Sequence, residues 1–342
     1  MEDYNEIYNK DLYKNIYHDI DISKYSFLVT GGAGFIGSNL VEYLLKNNAK
    51  QVRVLDNLSN GYYSNIKNFI NLHNFEFING DICNLEICIE SLQNVDFVFH
   101  LAALGSVPRS ITNPILTNTV NVGGFLNMLE AGRLSKCLIK FIYAASSSTY
   151  GDSKISPKKE GTEGKPLSPY AVTKLVNEIY ADVYSKVYKF HTIGLRYFNI
   201  YGPKQNPDNP YAAVIPIFSN SIINNKAINI NGDGLISRDF TFVENAIQAN
   251  IKMLSTSFTQ HEVFNVGCGD ETTLIEIVRL LEKFSNTKAI LNHIKEREGD
   301  IKHSKANIDK IRDLANYNPS VRINDGLEIT YNWYQKNYEH RS

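Results

Sequence analysis

A glycine-rich segment near the start of the chain limits the fold more than any other feature of the sequence. Gly31-Gly32-Ala33-Gly34-Phe35-Ile36-Gly37 lies between an apolar stretch, Tyr25–Thr30, and a stretch of helical pattern, Phe35–Asn47. Glycine permits a tight turn, lets the backbone approach a pyrophosphate and allows the helix to pack closely on the strand. The N–H groups at the start of such a helix favour phosphate. The segment therefore predicts a dinucleotide site, although a glycine-rich turn without this context is often only a tight loop.

The alternation of strand and helix continues along the first two hundred residues. Such an order is expected for right-handed βαβ units and a parallel sheet. We therefore predict an α/β fold with a doubly wound parallel sheet and a smaller mixed α/β substrate domain at the C-terminal end. The predicted strands are Tyr25–Thr30, Gln51–Asp56, Phe75–Ile78, Asp96–His100, Leu138–Ala145 and His191–Arg196, and the later helices are Leu85–Leu92, Asn113–Gly132, Ser168–Tyr188, Leu274–Phe284 and Asp325–Tyr338.

The regular pattern fades beyond Tyr201, where a loop with several prolines begins. We predict an N-terminal helical extension over residues 1–24, a dinucleotide-binding domain over residues 25–200 and a substrate-binding domain over residues 201–342. A segment near residues 239–254 is expected to return to the first domain.

Composition narrows the classes of function. The chain of 342 residues is 43% hydrophobic and 21% charged, with a formal net charge of −1. It lacks the concentrated positive charge that binds nucleic acids or anionic membranes, and no apolar run approaches the roughly 18–20 residues of a membrane helix. The acidic, polar N-terminus is unlike a signal peptide, so we expect a cytoplasmic protein. The scattered cysteines predict neither a disulfide nor a metal site; they are Cys83, Cys88, Cys137 and Cys268.

Two aspartates at predicted strand ends indicate which dinucleotide binds. Asp56 ends the second strand, where a carboxylate can bind both hydroxyls of the adenine ribose and repel a 2′-phosphate. NAD is therefore expected rather than NADP. Asp81, after Asn79-Gly80, is expected to hold the adenine amino group, although a turn aspartate of purely conformational role is nearly as common.

Tyr170 and Lys174 lie four residues apart near the start of a helix that Ser168 and Pro169 begin as N-cap and first residue. The spacing places both side chains on one face of the helix. We expect the ammonium to favour the phenolate and to lower the pKa of Tyr170 from about 10. A tyrosine of that kind suits proton transfer between an alcohol and a ketone. The pair predicts redox chemistry with a nicotinamide as hydride carrier.

Further motifs accompany this pair, and with them the chain resembles a known family. The motifs are His100-Leu101-Ala102-Ala103, Asn121-Val122-Gly123-Gly124, Ser146-Ser147-Ser148-Thr149-Tyr150-Gly151 and Leu195-Arg196-Tyr197-Phe198-Asn199. From about Tyr25 onwards the chain resembles the extended short-chain dehydrogenase/reductases, and within them the nucleotide-sugar 4-epimerases. The resemblance implies a Rossmann-type fold with tightly bound NAD. Ala102–Ile111, Ala144–Asp152 and Leu167–Lys174 are similar to epimerases of UDP-N-acetylglucosamine and UDP-N-acetylgalactosamine, as is the N-terminal extension.

The resemblance also implies roles for single residues. Ser146 would hydrogen-bond the sugar O4, Tyr170 would exchange the O4 proton, Lys174 would bind the nicotinamide ribose, and Asn121 would lie near the nicotinamide. The residues expected to contact the cofactor are Gly31, Gly34, Phe35, Ile36, Gly37, Asp56, Asn57, Asp81, Ile82, Ala102, Ala103, Asn121, Tyr170 and Lys174.

The two positions after Ser146 help to separate the reactions of this family. Sugar-nucleotide 4,6-dehydratases carry acidic residues there, because elimination of water needs a further acid and base. Decarboxylases of the family typically carry a glutamate in the same stretch. Ser147 and Ser148 occupy both positions here, which favours a 4-epimerase: oxidation at C4, rotation of the 4-keto sugar about its diphosphate linkage, and reduction on the other face.

The expected UDP anchor comes from matches to the same family. Arg238 and Arg297 would bind the diphosphate, because a guanidinium offers paired donors, and Val214 and Ile215 lie in the segment that matches the uracil site. The residues expected to contact the substrate are Gly105, Ser106, Ser146, Ser147, Ser148, Tyr170, Asn199, Val214, Ile215, Arg238, Arg297 and Ser304.

Ser304 is expected to set the size of the sugar pocket. In these epimerases a tyrosine seven residues after the Arg297 position restricts the site to glucose and galactose, whereas a small residue admits an N-acetyl group. With Gly105 and Ser106, this favours interconversion of UDP-GlcNAc and UDP-GalNAc. Two alternatives stay open: a UDP-glucuronic acid (or acetamido-uronic acid) 4-epimerase, with Arg109 serving the carboxylate, and a catalytically silent NAD-sensing protein.

Two helical stretches predict the assembly. Asn113–Gly132 and Ser168–Tyr188 resemble the helices that form a four-helix dimer interface in this superfamily. A homodimer is therefore expected, with a UDP-sugar as the small-molecule partner.

Overall fold

The computed structural model describes residues 7–207, 212–295 and 303–338. Within these ranges the strands are β1 (Ser26–Thr30), β2 (Gln51–Asp56), β3 (Phe75–Asn79), β4 (Phe97–His100), β5 (Lys140–Ser146), β6 (Thr192–Tyr197), β7 (Ile200–Tyr201), β8 (Ile228–Asn231), β9 (Ser237–Arg238), β10 (Thr241–Phe242), β11 (Glu262–Val266), β12 (Thr272–Thr273), β13 (Leu291–Ile294) and β14 (His303–Ser304). The helices are α1 (Phe35–Lys46), α2 (Leu85–Ser91), α3 (Val107–Thr112), α4 (Pro114–Asn118), α5 (Phe125–Leu134), α6 (Pro169–Tyr188), α7 (Val214–Ile223), α8 (Val243–Lys252), α9 (Leu274–Ser285), α10 (Asp309–Ala315) and α11 (Ile323–Tyr338), with a π-helical segment, Thr119–Gly124, between α4 and α5.

A parallel sheet of seven strands, counted over the described ranges, forms the centre of the fold in the order β11-β6-β5-β4-β1-β2-β3. Ser26–Thr30 pairs with Gln51–Leu55 on one side, and Phe27–Thr30 pairs with Phe97–His100 on the other. The chain therefore winds outwards to β3 and then crosses to the opposite side of β1. This doubly wound parallel sheet confirms the predicted fold class. It opens a crevice at the carboxyl ends of β1 and β4, where the strand order reverses.

Helices cover both faces of the sheet because alternate side chains of a strand point to opposite faces. Phe27 and Val29 belong to one buried cluster, whereas Leu28 between them belongs to the other. Helices α1 and α8 pack on the first face, and α2, α5 and α6 pack on the second. None of the helices in the described part of the chain combines the length and apolar character needed to cross a bilayer.

The C-terminal half contains short strand pairs, and two of its parts return to the central sheet. Strand β8 pairs with β13, and β9 pairs with β12 and β14. Helix α8 lies in the segment 239–254 and packs on α1. Strand β11 continues the central sheet beside β6, although the division predicted at residue 200 places it in the second domain. This strand covers an edge of the sheet that β6 would otherwise expose.

The N-terminal segment differs from the prediction. Residues 8–21 form turns and bends, so the predicted N-terminal helix is wrong for them, and the first six residues lie outside the described ranges. Tyr13 has a φ of +57°, in the left-handed region, which a right-handed helix does not accommodate. The Tyr13 hydroxyl donates to Asn39 of α1 at 2.7 Å, and the Tyr17 hydroxyl donates to Glu244 of α8 at 2.7 Å. The segment therefore ties these two helices together through individual side chains.

Candidate active site

A cleft of about 520 Å³ opens at the carboxyl ends of the central strands. It is lined by residues that follow β1 to β5 and by loop residues after β6 and β7. The chain thus brings residues far apart in the sequence to the edge where the strand order reverses. The predicted cofactor residues that line the cleft are Gly31, Gly34, Phe35, Ile36, Gly37, Asp56, Asn57, Asp81, Ile82, Ala102, Ala103, Tyr170 and Lys174.

Glycines in the first turn form a cradle that a side chain would fill. Gly31 has a φ of +68°, and a Cβ on it would lie 2.8 Å from the Cα of Ala102. A Cβ on Gly37 would lie 2.1 Å from the carbonyl oxygen of Gly31. Gly34 precedes α1 and gives its first turn no side-chain cap, so the N–H groups of that turn suit a phosphate. The cradle fits the pyrophosphate of a dinucleotide.

Asp56 is a buried carboxylate at the end of β2 whose two oxygens are held by the backbone. Its Oδ2 accepts the N–H of Ala33 at 2.9 Å, and its Oδ1 accepts the N–H of Leu58 at 2.8 Å. Burial raises the pKa of Asp56, and the two hydrogen bonds oppose that increase. A fixed carboxylate at this edge suits a ribose diol and disfavours a 2′-phosphate, as predicted for NAD.

Asp81 follows β3 and is paired with Asn57. The side-chain amide of Asn57 donates to Oδ2 of Asp81 at 2.9 Å, and the N–H of Cys83 donates to Oδ1 at 2.8 Å. Partial burial opposes ionisation, but these hydrogen bonds outweigh it and lower the pKa of Asp81. The carboxylate is thus a charged acceptor on the predicted adenosine side of the cleft.

The catalytic helix begins as the sequence predicts. Ser168 caps α6 by accepting the N–H of Ala171 at 3.1 Å, and Pro169 fills its first position. Tyr170 therefore lies in the first turn, where its own N–H donates to the hydroxyl of Ser110 at 3.0 Å. These contacts fix the place of the tyrosine relative to the sheet.

Ser146, Tyr170 and Lys174 meet in the cleft, where α6 crosses the end of β5. Tyr170 lies close enough to Ser146 for the serine hydroxyl to lower its pKa. The ammonium of Lys174 donates to the carbonyl oxygen of Ala144 at 2.7 Å. The structure thus brings together the three predicted catalytic residues on two rigid elements.

Burial shifts the pKa values of Tyr170 and Lys174. Burial raises the pKa of Tyr170, and the nearby hydroxyl of Ser146 opposes part of the increase. It also lowers the pKa of Lys174 to about 8. The prediction that the pKa of Tyr170 falls below its usual value is therefore wrong, because desolvation of the phenolate is the largest effect. The hydroxyl of Ser146 is the contact that favours the phenolate.

Ser147 and Ser148 act from behind Ser146 and do not line the cleft among its described residues. They begin a 3₁₀ turn, and the hydroxyl of Ser148 donates to Oγ of Ser146 at 2.9 Å. The N–H of Ser148 donates to the same oxygen at 3.2 Å. Ser148 thus orients Ser146, which differs from the substrate contact predicted for both serines.

Asn121 also differs from its prediction. It is buried in the π-helical segment and is absent from the described lining of the cleft. Its Oδ1 accepts the N–H of Leu104 at 2.7 Å, and its amide donates to the hydroxyl of Thr173 at 3.2 Å. Asn121 therefore connects the loop before Gly105 to α6.

The predicted substrate residues divide into two groups. Gly105, Ser106, Ser146, Tyr170 and Asn199 line the cleft. Among the described lining residues, the others are missing: Val214 and Ile215 lie in the first turn of α7 next to the lining residue Ala213, and Ser304 pairs with Arg238 between β14 and β9. Arg297 lies outside the described residues.

Two loops that were not predicted from the sequence also line the cleft. Residues 59–62 follow Asp56, and residues 204–206 follow the glycine and proline at positions 202 and 203. Arg109 donates to Oδ1 of Asn60 at 3.0 Å, and Asn206 hydrogen-bonds the hydroxyl of Tyr62. A run of small and amide residues directly after Asp56 could have pointed to the first loop, whereas the second has no comparable signal.

The glycine cradle, the fixed carboxylate of Asp56 and the trio of Ser146, Tyr170 and Lys174 are the arrangement expected of an NAD-dependent enzyme of the extended short-chain dehydrogenase/reductase type. The chain belongs to the NAD dependent epimerase/dehydratase family, whose model matches residues 27–267. The carboxyl-edge site on a doubly wound sheet is where such enzymes bind their cofactor.

Three relatives illustrate the similarity. A putative UDP-glucose 4-epimerase of Methanocaldococcus jannaschii is 34% identical over 312 residues, covering 91% of this chain and 98% of the relative. The structure of UDP-N-acetylglucosamine 4-epimerase from Methanobrevibacter ruminantium, in complex with UDP-N-acetylmuramic acid, matches with a TM-score of 0.85 and 34% identity over 92% of this chain and 99% of that one. That of UDP-glucuronic acid 4-epimerase from Bacillus cereus, with UDP-glucuronic acid and NAD, matches with a TM-score of 0.84 and 36% identity over 92% and 100%.

Proposed function

We propose that this enzyme is a UDP-sugar 4-epimerase that interconverts UDP-N-acetylglucosamine and UDP-N-acetylgalactosamine. The reaction class is supported by relatives named as UDP-sugar 4-epimerases. The choice of sugar is supported by the chemistry of the side chains around the cleft.

The distribution of carboxylates is the observation that carries the reaction type. Among the described residues that line the cleft, the carboxylates are Asp56 and Asp81, and both belong to the predicted adenosine side. Elimination of water from a sugar needs an acid and a base beside the reacting carbons. The trio of Ser146, Tyr170 and Lys174 supplies proton exchange at one oxygen, which is sufficient for oxidation and reduction at C4.

In the proposed mechanism Tyr170 exchanges the proton of O4. It takes the proton as the alcohol becomes a ketone and returns it when the ketone is reduced on its other face. Ser146 hydrogen-bonds O4 and, through its contact with Tyr170, favours the phenolate against the effect of burial. Lys174 would bind the ribose next to the nicotinamide. Bound NAD supplies the hydride acceptor and donor for both half-reactions.

Room for rotation of the sugar is available beside the trio. A Cβ placed on Gly105 would meet no heavy atom within 4 Å among the described residues. Ser106 has a φ of +104° and caps α3 by accepting the N–H of Arg109 at 3.3 Å. The loop therefore presents small side chains and a fixed backbone to the cleft. This leaves the space that an acetamido sugar needs in order to rotate.

The cations of the cleft favour a neutral hexosamine over a uronic acid. Among the described lining residues they are Arg109, Lys174 and Lys204. Each already has a polar partner: Asn60 accepts from Arg109, Ala144 from Lys174, and Glu42 from Lys204 at 2.7 Å. A sugar carboxylate would need one of these cations to lie beside it and to turn a further N–H donor towards it, whereas an N-acetyl group has no charge to compensate.

UDP-glucuronic acid is the second candidate. Arg109 lines the cleft next to the predicted sugar loop, and the Bacillus cereus relative acts on that substrate. A guanidinium that leaves Asn60 for the sugar would give a charge-assisted pair. Substrate preference separates this candidate from the hexosamine.

Apolar side chains on two neighbouring helices support the homodimer. Ile115 of α4 is 80% exposed, and Ile179 and Val187 of α6 are 54% and 63% exposed. Helices α4 and α6 pack against each other, and we infer that these residues share one surface. We propose that a second copy of the chain covers it. Ile115→Glu should convert a dimer to monomers in analytical ultracentrifugation, whereas Leu235→Glu, at an exposed leucine elsewhere, should not; a monomeric wild-type protein would contradict this proposal.

Comparing initial rates on a panel of UDP-sugars tests the function. Purified enzyme is incubated without added NAD with UDP-GlcNAc, UDP-glucose and UDP-glucuronic acid, and the products are separated from their C4 epimers by chromatography. We expect UDP-GalNAc to form fastest. Faster turnover of UDP-glucuronic acid would favour the second candidate, and failure to epimerise any of the three would overturn the proposed reaction class.

A further inference from the structure

A buried charged cluster lies directly behind the catalytic trio, and the mechanism above does not use it. Glu178 lies on α6 four residues after Lys174 and eight after Tyr170, so the three side chains lie along one face of the helix. Arg196 comes from the adjacent strand β6. Glu178 is 7% exposed and Arg196 is 4% exposed. Charges buried to this extent need partners.

The geometry of the cluster is that of a fixed, two-pronged ion pair. Nε of Arg196 donates to Oε1 of Glu178 at 2.9 Å, and Nη2 donates to Oε2 at 2.7 Å. The third guanidinium nitrogen, Nη1, donates to Glu163. The guanidinium carbon also lies 4.9 Å from the centre of the Tyr150 ring, at the end of the turn that begins after Ser146. The carboxylate of Glu178 is therefore held in one place relative to α6 and to the turn that follows Ser146.

Stability gives a weak reason for such a cluster. Removing charges from water costs several kcal/mol per ion, and well-packed apolar residues of similar volume are often at least as stabilising. A buried ion pair one helical turn from Lys174 is better explained by what its charge does there.

Lys174 is the member of the catalytic trio on which this charge acts. Burial lowers the pKa of Lys174 to about 8, and the carboxylate of Glu178 acts in the opposite direction. Besides Tyr170 and Glu178 on α6 and the rest of the charged cluster, the titratable groups that interact with Lys174 and Glu178 are His100 of β4, next to Lys174, and Tyr143 of β5, next to Glu178. Burial and the charge of Lys174 lower the pKa of His100 to about 3, so that imidazole is neutral and offers no compensation. Glu178 supplies the negative charge.

We propose that Glu178, clamped by Arg196, is a positioning residue that keeps Lys174 cationic and on the carbonyl of Ala144, one turn from Tyr170. This inference rests on the proposed epimerase reaction and assigns a role in it to a residue that touches neither the substrate nor the cofactor. Its consequence is a specific dependence on pH. Lys174 is a cation below its pKa, so losing Glu178 makes the ammonium deprotonate at a lower pH.

The test compares pH profiles of kcat for UDP-GlcNAc between pH 6 and 10, using the purified holoenzyme and its Glu178→Gln variant. We expect the alkaline limb of the profile to move down by about one pH unit in the variant. A limb that stays in place would overturn the proposal. Because the wild type is assayed alongside, a wild-type enzyme that forms no C4 epimer would reject the proposed function instead.

Two further variants separate charge from folding. Glu178→Asp keeps the charge but shortens its reach, and it should leave the limb near the wild-type position with a lower kcat. Glu178→Met combined with Arg196→Met replaces the pair by apolar side chains, so it remains informative if Glu178→Gln fails to fold. The proposal expects a lowered limb in this double variant; a wild-type limb would show that the pair serves the fold alone and would contradict the proposal.

Discussion

The two halves of the cleft are built in different ways. The cofactor half is made of turns directly after β1, β2 and β3, and its contacts are mainly backbone groups and short polar side chains, such as Asp56 held by two N–H groups. The substrate half combines loop residues of the lining, such as Gly105 and Asn199, with short pairings between distant segments outside the described lining, such as Arg238 beside Ser304. A site of the first kind follows from strand order, whereas one of the second kind depends on how far-separated loops pack. Substitutions in the first half should therefore abolish function broadly, and those in the second should change selectivity.

Replacing the tyrosine shared by both halves should have the largest effect. Tyr170→Phe removes the hydroxyl that we propose exchanges the O4 proton, so we expect kcat to fall by about 10²–10⁴-fold while NAD remains bound. Steady-state rates with UDP-GlcNAc and the NAD content of the purified protein are the measurements. Tyr180→Phe, further along the same helix, is the control and should retain activity. Wild-type turnover by Tyr170→Phe would disprove the mechanism.

The cradle of the cofactor half should tolerate no added methyl group. In Gly37→Ala the new Cβ would lie 2.1 Å from the carbonyl oxygen of Gly31, so α1 must move away from β1. We expect a loss of unfolding free energy of about 1–3 kcal/mol and a loss of bound NAD. Denaturant titration and cofactor content check both effects. Gly123→Ala is the matched control, since its Cβ would meet no described heavy atom within 4 Å.

Substitution of Asp56, the predicted ribose-binding carboxylate, should have the next largest effect. Asp56→Asn replaces a charged acceptor by an amide, and we expect NAD to bind about ten- to a hundredfold more weakly. The preference for NAD over NADP should narrow, because the repulsion of a 2′-phosphate is lost. Equilibrium binding of both dinucleotides is the measurement, with the exposed residue Asp313→Asn as control. An unchanged ratio of the two affinities would show that Asp56 does not select the cofactor.

The substrate half should respond with a smaller, selective change. Ser304→Tyr adds bulk next to Arg238, and we expect it to reduce kcat/KM for UDP-GlcNAc by about tenfold while sparing UDP-glucose. Ser304→Ala keeps the residue small and should keep the order of preference. If Ser304→Tyr lowers both substrates equally, Ser304 does not set the pocket size.

Local sequence signals explain why several features were predicted correctly. The glycine spacing, the strand-end aspartates and the Ser168-Pro169 start of α6 act within a few residues, and the structure has these features where the sequence predicts them. The helix predicted around Tyr13 does not form, because tertiary contacts such as the hydrogen bond to Asn39 override the helical pattern. The pKa of Tyr170 also departs from the prediction, because burial is a property of the whole fold and a neighbouring lysine does not determine it.

Inward-facing contacts explain the remaining differences. Ser148 supports Ser146, and Asn121 joins the Gly105 loop to α6. Both residues belong to sequence motifs of the site, but their hydrogen bonds hold other residues of the site in place. Sequence motifs therefore locate this site well, but they do not separate residues that touch the ligands from those that hold them in place.

Isotope labelling tests the central claim most directly. UDP-GlcNAc carrying deuterium at C4 is incubated with the enzyme in water enriched in ¹⁸O, without added NAD, and the product is analysed by NMR and mass spectrometry. C4 oxidation and reduction by one bound cofactor predicts UDP-GalNAc that keeps the deuterium at C4 and gains no ¹⁸O. Loss of deuterium to solvent, entry of ¹⁸O at C4 or a 6-deoxy product would contradict it.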